Sequence, residues 1–268
     1  MSKTFLIAEI GWNHLGDMSL AEKMIKSAAI NGADICKFQS WDVKDLREGS
    51  WDSDGRKEIY KKAGLSIDDH VYLKKVCDEN NVLFMTSIFN KKFIEIVRKL
   101  DVNISKIPSH EIHNESLVHE VAKNFQTALI STGAAYWKEV EKYKDLFGNK
   151  RLIPMHCVSS YPCEEENINL PRINEIKKLS KIYGYSGHLN NINDAMAAIC
   201  MGCKYIEKHF TIDKNLPGRD NLNAILPEDL KSLNEFRLSF EKMNIERGLD
   251  LQDQELDIYN NYRGRWGG

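Results

Sequence analysis

Two lysines, Lys37 and Lys106, and five serines, Ser87, Ser109, Ser131, Ser159 and Ser186, stand at or just past the ends of short apolar runs. Ammonium groups ringed by hydroxyls and loop N–H groups suit an oxyanion, each lysine acting as a point charge on a phosphate or carboxylate. One lysine in a strand usually snorkels to an edge, and one serine at a strand end usually makes a turn. Recurrence at one strand end after another turns these weak signals into a candidate site. His188 and His209 form a second constellation. Spacing alone reads them either as a two-histidine site for a divalent ion, completed by substrate and water, or as hydrogen-bonded core histidines. Glu9 and Glu111 either act as general acid or base or hold the lysines in place. Trp12, Trp41 and Trp51 stack on a sugar or pack a lid. Arg219 and Asp220, in LPGRD (216–220), contact substrate or make a turn. His14 is a candidate pocket residue, whereas His70 and His119 read as helix surface, and His110 and His113 as loop.

The elements that must position these groups are repeated strand–helix units. Strands are expected over Phe5–Ile10, Ile35–Gln39, Val82–Ser87, Ile104–Ile107, Ala128–Ser131, Leu152–Cys157, Tyr183–Ser186 and Tyr205–His209. Helices are expected over Leu20–Asn31, Asp69–Asn80, Lys91–Leu100, Glu115–Asn124, Trp137–Phe147, Leu170–Lys181, Asn193–Met201 and Pro227–Asn244. Ser19 with Glu22 reads as a capping box, Pro227 as a first helical residue, and Gly32 and Gly202 as helix exits. Eight such units fit an α/β fold of the (β/α)8 TIM-barrel type, a single domain over residues 1–247 with a C-terminal tail at 248–268. Residues 41–63 read as a long loop after the second strand. Alternation along a strand puts Lys37 with Gln39, Ser186 with His188, and Glu207 with His209 on common faces. In a barrel those faces converge on one mouth.

The chain has 268 residues, 37 Lys plus Arg against 39 Asp plus Glu, and a formal charge of −2. That balance argues against nucleic acid as a partner. No apolar run reaches the roughly 20 residues that cross a bilayer, and no signal peptide is evident, so no membrane partner and a cytoplasmic location are expected. The six cysteines are scattered, and reduced thiols are the default. Cys200 and Cys203 form one C-x-x-C, which reads as buried core rather than a metal or redox site.

With these motifs assembled, the sequence resembles the nonulosonic acid synthase family, which includes the N-acetylneuraminate (sialic acid), legionaminic and pseudaminic acid synthases. The resemblance runs through AEIGWNHLGD (8–17), GADICKFQS (32–40), FMTSIFN (84–90), SKIPSHE (105–111), LISTG (129–133), HCVSSYP (156–162), GYSGH (184–188), IEKHFTID (206–213) and LPGRD. It implies a TIM barrel that condenses phosphoenolpyruvate with the aldehyde of an N-acetylated hexosamine, giving a nine-carbon 2-keto sugar acid and phosphate. A divalent metal, Mn2+ or Mg2+, is implied as cofactor. By position, Lys37, Ser87, Lys106, Ser109, Ser131, Ser159 and Ser186 match phosphoenolpyruvate-binding residues, and His188 and His209 match metal ligands. Gln39, Glu111, Tyr161 and Asp220 match residues near the sugar or reacting centre, and Glu9 matches an acid at the first strand end.

The departures are as specific as the matches. The common Ser-Gly-Glu is Ser109-His110-Glu111, and the common Ser-Asp-His is Ser186-Gly187-His188, which removes a carboxylate beside a metal ligand. A barrel-only form without the family's antifreeze-like domain is expected, and with it a homodimer or other homo-oligomer. Two other readings stay open: the same chemistry on a different sugar aldehyde, or a non-catalytic sugar-binding or regulatory barrel.

Overall fold

A computed structural model of the chain describes residues 3–49, 55–149 and 151–267. Trp51 lies outside the described residues. The strands are β1 (Phe5–Gly11), β2 (Ile35–Ser40), β3 (Leu83–Ile88), β4 (Ile104–Ile107), β5 (Thr127–Ser131), β6 (Leu152–Cys157), β7 (Gly184–Gly187) and β8 (Tyr205–His209). Each pairs in parallel with the next, and β8 pairs with β1, closing the barrel. The expected TIM barrel is the observed fold, with strand ends displaced by a residue or two. Short apolar runs were a sufficient signal because parallel strands are covered on both faces.

Helices Met18–Ile30, Ile67–Glu79, Lys92–Lys99, Glu115–Asn124, Arg172–Leu179, Asn193–Cys200 and Pro227–Met243 sheathe the barrel. Pro227 opens the last, and Gly32 (φ +96°) and Gly202 (φ +89°) take the left-handed turns past two others. The first helix begins earlier than its sequence suggests. Asp17, not Ser19, caps it, accepting from the N–H groups of Ser19 and Leu20 at 2.8 and 3.2 Å. The helix expected over Trp137–Phe147 is two, Trp137–Glu141 and Lys144–Gly148. At the break Tyr143 turns inward, and its hydroxyl donates to the Ile112 carbonyl at 2.7 Å. The loop after β2 is not wholly irregular, since it carries the helix Arg56–Ala63. The tail carries a short exposed helix, Leu256–Asn261.

The barrel interior has two storeys. Ile7, Ile35, Met85, Leu129, Ile153 and Met155 form a buried apolar plug at the base, with Phe5, Ile104, Ile182 and Tyr205 packed against it. Two residues further along their strands, Glu9, Lys37, Ser87, Lys106, Ser131, Cys157, Ser186 and Glu207 form a buried polar storey. The larger core, with Leu6, Ile10, Phe38, Phe84 and Ile206, lies between strands and helices. Among the described residues no helix is long and apolar enough to cross a membrane. All six cysteines are free; Cys203 is buried as expected, but Cys200 is exposed because its side of the helix end faces outward.

Candidate active site

Strand register places Glu9 beside Lys37, Ser87 beside Lys106, and Ser186 beside Glu207. The Lys37 ammonium lies 2.7 Å from Glu9 Oε2 and 3.8 Å from Glu207 Oε2, and donates to Ser87 Oγ at 2.8 Å. The Lys106 ammonium lies 2.5 Å from Glu207 Oε1 and 3.4 Å from Ser186 Oγ, which donates to the same carboxylate oxygen at 3.0 Å. Gln39 Nε2 donates to Glu9 Oε1 at 2.6 Å. Glu207 is thus the hub between the lysines.

Two ammoniums and two carboxylates out of contact with water do not share one electrostatic fate. Burial pushes Glu9 up to about 7, with Lys37 pulling against it and the Glu207 charge adding to the rise. Burial also works to raise Glu207, but Lys106 and Lys37 outweigh it and hold that carboxyl well below the usual range. Burial lowers Lys106, against the attraction of Glu207. The surroundings thus bias Glu207 toward the anion and Glu9 toward the protonated form, a split that can separate a structural from a proton-handling carboxylate.

The two histidines stand at the mouth above this storey, their ring centroids 5.5 Å apart. His188 Nδ1–H donates to the Val158 carbonyl at 2.7 Å, which fixes its tautomer and leaves the Nε2 lone pair free. His209 Nδ1 is buried without a hydrogen-bond partner, 3.6 Å from Asp220 Oδ2. Burial pushes both imidazoles down to about 3 and so favours the neutral rings; nearby positive charge adds to the fall, and at His209 the Glu207 carboxylate opposes it. The pair is not hydrogen-bonded to itself, and two neutral imidazoles with nitrogen lone pairs to spare fit a divalent cation. Among the described residues no group of three or more His, Cys, Asp or Glu gathers to hold one. The remaining positions would fall to substrate and water.

Around the pair, Tyr161 packs 4.2 Å from His188 and 5.9 Å from His209. Arg219 lies over the Tyr161 ring at 5.3 Å and donates to its carbonyl at 3.2 Å, which anchors the LPGRD segment at the rim. The Trp12 indole N–H donates to Asp220 Oδ2. Burial raises Asp220, opposed by that hydrogen bond. Trp12 packs at a tilt on Tyr60 at 5.1 Å, and Trp41 packs on Tyr60 and Phe89 at 5.7 and 5.6 Å, so these tryptophans build a wall from neighbouring loops. The Ser109 and Ser159 hydroxyls are 2.8 Å apart, and Ser131 Oγ is buried without a hydrogen-bond partner. Glu111, half-buried in the turn Ser109–Glu111, accepts from Asn114 Nδ2 at 3.3 Å. It holds neither lysine. His110 packs on Phe89 at 4.9 Å and so extends the aromatic wall.

The site residues read from the sequence thus collect at the C-terminal mouth of the barrel, but some neighbours do not. His70 is buried rather than on the surface, because its helix packs it against β2. Its Nε2 meets Ser40 Oγ at 2.7 Å, and its Nδ1–H donates to the Ser66 carbonyl. His14 does not line the pocket: its ring lies 5.9 Å from Phe38, on the outer face of β2. His156 also faces outward, donating to the Ile168 carbonyl at 2.8 Å. Glu207 was legible as sharing a face with His209, yet its place between both lysines depends on cross-barrel distances that spacing does not carry.

A family model described as the NeuB family matches residues 24–246. Among similar proteins is the N,N'-diacetyllegionaminic acid synthase of Campylobacter jejuni subsp. jejuni, 33% identical over 250 residues, covering 87% of this chain and 75% of that protein. Another is the N-acetylneuraminate-9-phosphate synthase of Homo sapiens, 30% identical over 243 residues, covering 85% of this chain and 68% of that protein. The structure of the N-acetylneuraminic acid synthetase from Leptospira borgpetersenii serovar Hardjo-bovis, in complex with citrate, matches with a TM-score of 0.89 at 31% identity. That match covers 98% of this chain and 93% of the other.

Proposed function

Because the chain belongs to the NeuB family of nonulosonic acid synthases, we propose that it condenses phosphoenolpyruvate with the open-chain aldehyde of an N-acetylated hexosamine, such as N-acetylmannosamine. The product is a nine-carbon 2-keto sugar acid, and phosphate is released. The observation that carries this reading is the buried set Glu9, Lys37, Glu207 and Lys106 with serine hydroxyls around it. With Glu9 protonated it carries two ammoniums against one carboxylate, a preorganised positive site for a small, highly charged anion.

In this reading Lys37 and Lys106, with the hydroxyls of Ser87, Ser109, Ser131, Ser159 and Ser186, hold the phosphate and carboxylate of phosphoenolpyruvate. Gln39, Tyr161 and Asp220 face the sugar. C3 of the enol attacks the aldehyde carbon, water adds at C2, and the tetrahedral C2 expels phosphate to leave the ketone. Glu111 positions that water or takes its proton. Glu9 gains a proton as the anion arrives, which frees Lys37 from its ion pair. A divalent ion, Mn2+ or Mg2+, held by His188 and His209, would supply Lewis-acid polarisation of the aldehyde oxygen.

The test is phosphate release from phosphoenolpyruvate with manganese and a panel of acceptors: N-acetylmannosamine, its 6-phosphate, and 2,4-diacetamido-trideoxyhexoses. Release with one acceptor, lost on chelation and in His209→Ala, is the expected result and names the sugar. A folded protein that releases phosphate with none of them would overturn the reading.

A further inference from the structure

β7 ends in Gly187, where a side chain has no room. A Cβ there would overlap the Asp194 carboxylate and the Tyr185 ring, and the backbone is not left-handed, so space rather than torsion demands glycine. The intruding carboxylate comes from the first turn of the helix Asn193–Cys200. Asp194 is 2% exposed, and Lys208, which meets it from the outer face of β8, is 3% exposed. Lys208 Nζ donates to both Asp194 oxygens at 3.1 and 3.0 Å and to the Leu189 carbonyl at 2.8 Å. The Tyr185 hydroxyl donates to Asp194 Oδ2 at 3.0 Å.

This cluster lies outside the barrel lumen, and the proposed reaction makes no use of it. Two of its members nevertheless lead to the histidine pair. Lys208 stands between Glu207 and His209 in the chain, and Leu189 follows His188. The His188 carbonyl accepts from the Cys163 N–H at 3.1 Å, and its ring donates to Val158. The segment carrying His188 is therefore tied to the β6 loop on one side and, through Leu189, to the buried ion pair on the other.

We infer that Asp194 and Lys208 are positioning residues for His188: their ion pair fixes the Leu189 carbonyl, and thereby the His188 ring in one tautomer with Nε2 toward the mouth. Gly187 and Asp194 are then a matched pair. In the sequence Gly187 reads as a carboxylate lost beside His188; in the fold a neighbouring helix delivers one to the adjoining space. The inference rests on the proposed function for its consequence, metal affinity, and on hydrogen-bond geometry for its substance.

The test uses the double variant Asp194→Asn/Lys208→Met, which removes both charges together and leaves no lone buried ion. Histidine 15N spectra of the metal-free protein read the His188 tautomer, and electron paramagnetic resonance of free Mn2+ reads affinity. A single Nδ1–H tautomer in the parent is expected to become a mixture in the variant. The Mn2+ dissociation constant is expected to rise about tenfold or more, with the protein still folded. Tyr185→Phe, which removes one hydrogen bond from Asp194 and leaves the ion pair whole, gives a smaller shift in the same direction and serves should the double variant fail to fold. An unchanged His188 tautomer in the folded variants overturns the inference. A parent that takes up no Mn2+ overturns the metal assignment, while the tautomer change still supports the positioning role.

Discussion

At the base of the barrel Ile7, Ile35, Met85, Leu129, Ile153 and Met155 pack against one another with no polar group between them. One pleat period higher, about 6.6 Å along the same strands, the lumen holds two buried lysines, two buried glutamates and serine hydroxyls. The plug lowers the free energy of the fold, each fully buried aliphatic side chain contributing about 1.5–3 kcal/mol. Taking ions out of water costs free energy that their mutual attraction only partly offsets. The contrast shows how a barrel separates its tasks: stability is stored below, and a strained electrostatic arrangement is maintained above because the plug, the outer core and the strand ladder already fix the backbone.

Replacing a cation in the upper storey should give the largest effect, and on activity most of all. Lys106→Met fills similar volume, and Glu207 keeps Lys37 at 3.8 Å. Turnover is expected to fall by about 10³-fold or more, roughly 4 kcal/mol of lost transition-state stabilisation. The melting midpoint should fall as well, because Glu207 is left a buried charge with only Lys37 at 3.8 Å, a cost of about 3–5 kcal/mol. Phosphate-release kinetics beside a thermal melt check both; a variant keeping a tenth of parental turnover would return Lys106 to a structural role. The converse change is Leu129→Ala in the plug, where the side chain is fully buried. It should cost about 3 kcal/mol of stability (roughly 2–5) in a denaturant titration. Turnover per folded molecule should stay within about twofold. If that mutation instead removed activity at full stability, the two storeys would not be separable.

The upper storey was legible in the alternation that puts Lys37 with Gln39 and Glu207 with His209 on common faces. The same period turns Ile35 and Leu129 inward, but the apolar runs did not single out a plug. The pairings within the site were not legible, because they join residues such as Lys106 and Glu207, 101 positions apart, through the closure of the barrel. The same limit applies to His70 and His14, which stand among charged or loop residues yet are buried by the packing of a helix and a loop on β2. It applies most sharply to Gly187, where the nearest carboxylate is supplied by a helix seven residues later. Local competition explains the remainder: Asp17 outdid Ser19 as a cap, and the inward turn of Tyr143 broke a helix that periodicity alone would run through.

A smaller effect sharpens the comparison by pH. None of the six plug residues titrates, so acid sensitivity of the fold must arise elsewhere, and beside His188 and His209 at the mouth two outward-facing histidines contribute to it. His14 has its Nε2 buried without a partner, and His156 donates to Ile168 while its Nδ1 is likewise unpartnered. Burial pushes both down to about 4, against about 6.5 in an unfolded chain. The unfolded state therefore binds protons first: stability is whole above pH of about 6.5 and is lost progressively as pH falls toward about 4. At pH of about 5.5 each histidine should remove on the order of 1 kcal/mol. His156→Gln keeps a donor for the Ile168 carbonyl and should take one histidine's share out of that loss. Denaturant midpoints for parent and variant at neutral and mildly acidic pH, with chelator present, measure the difference. Identical acid losses would mean that His156 charges without opening the fold. Because Leu129→Ala should lower the stability curve at every pH and His156→Gln should reshape only its acid limb, the pair separates what the apolar plug contributes from what the buried histidines withhold.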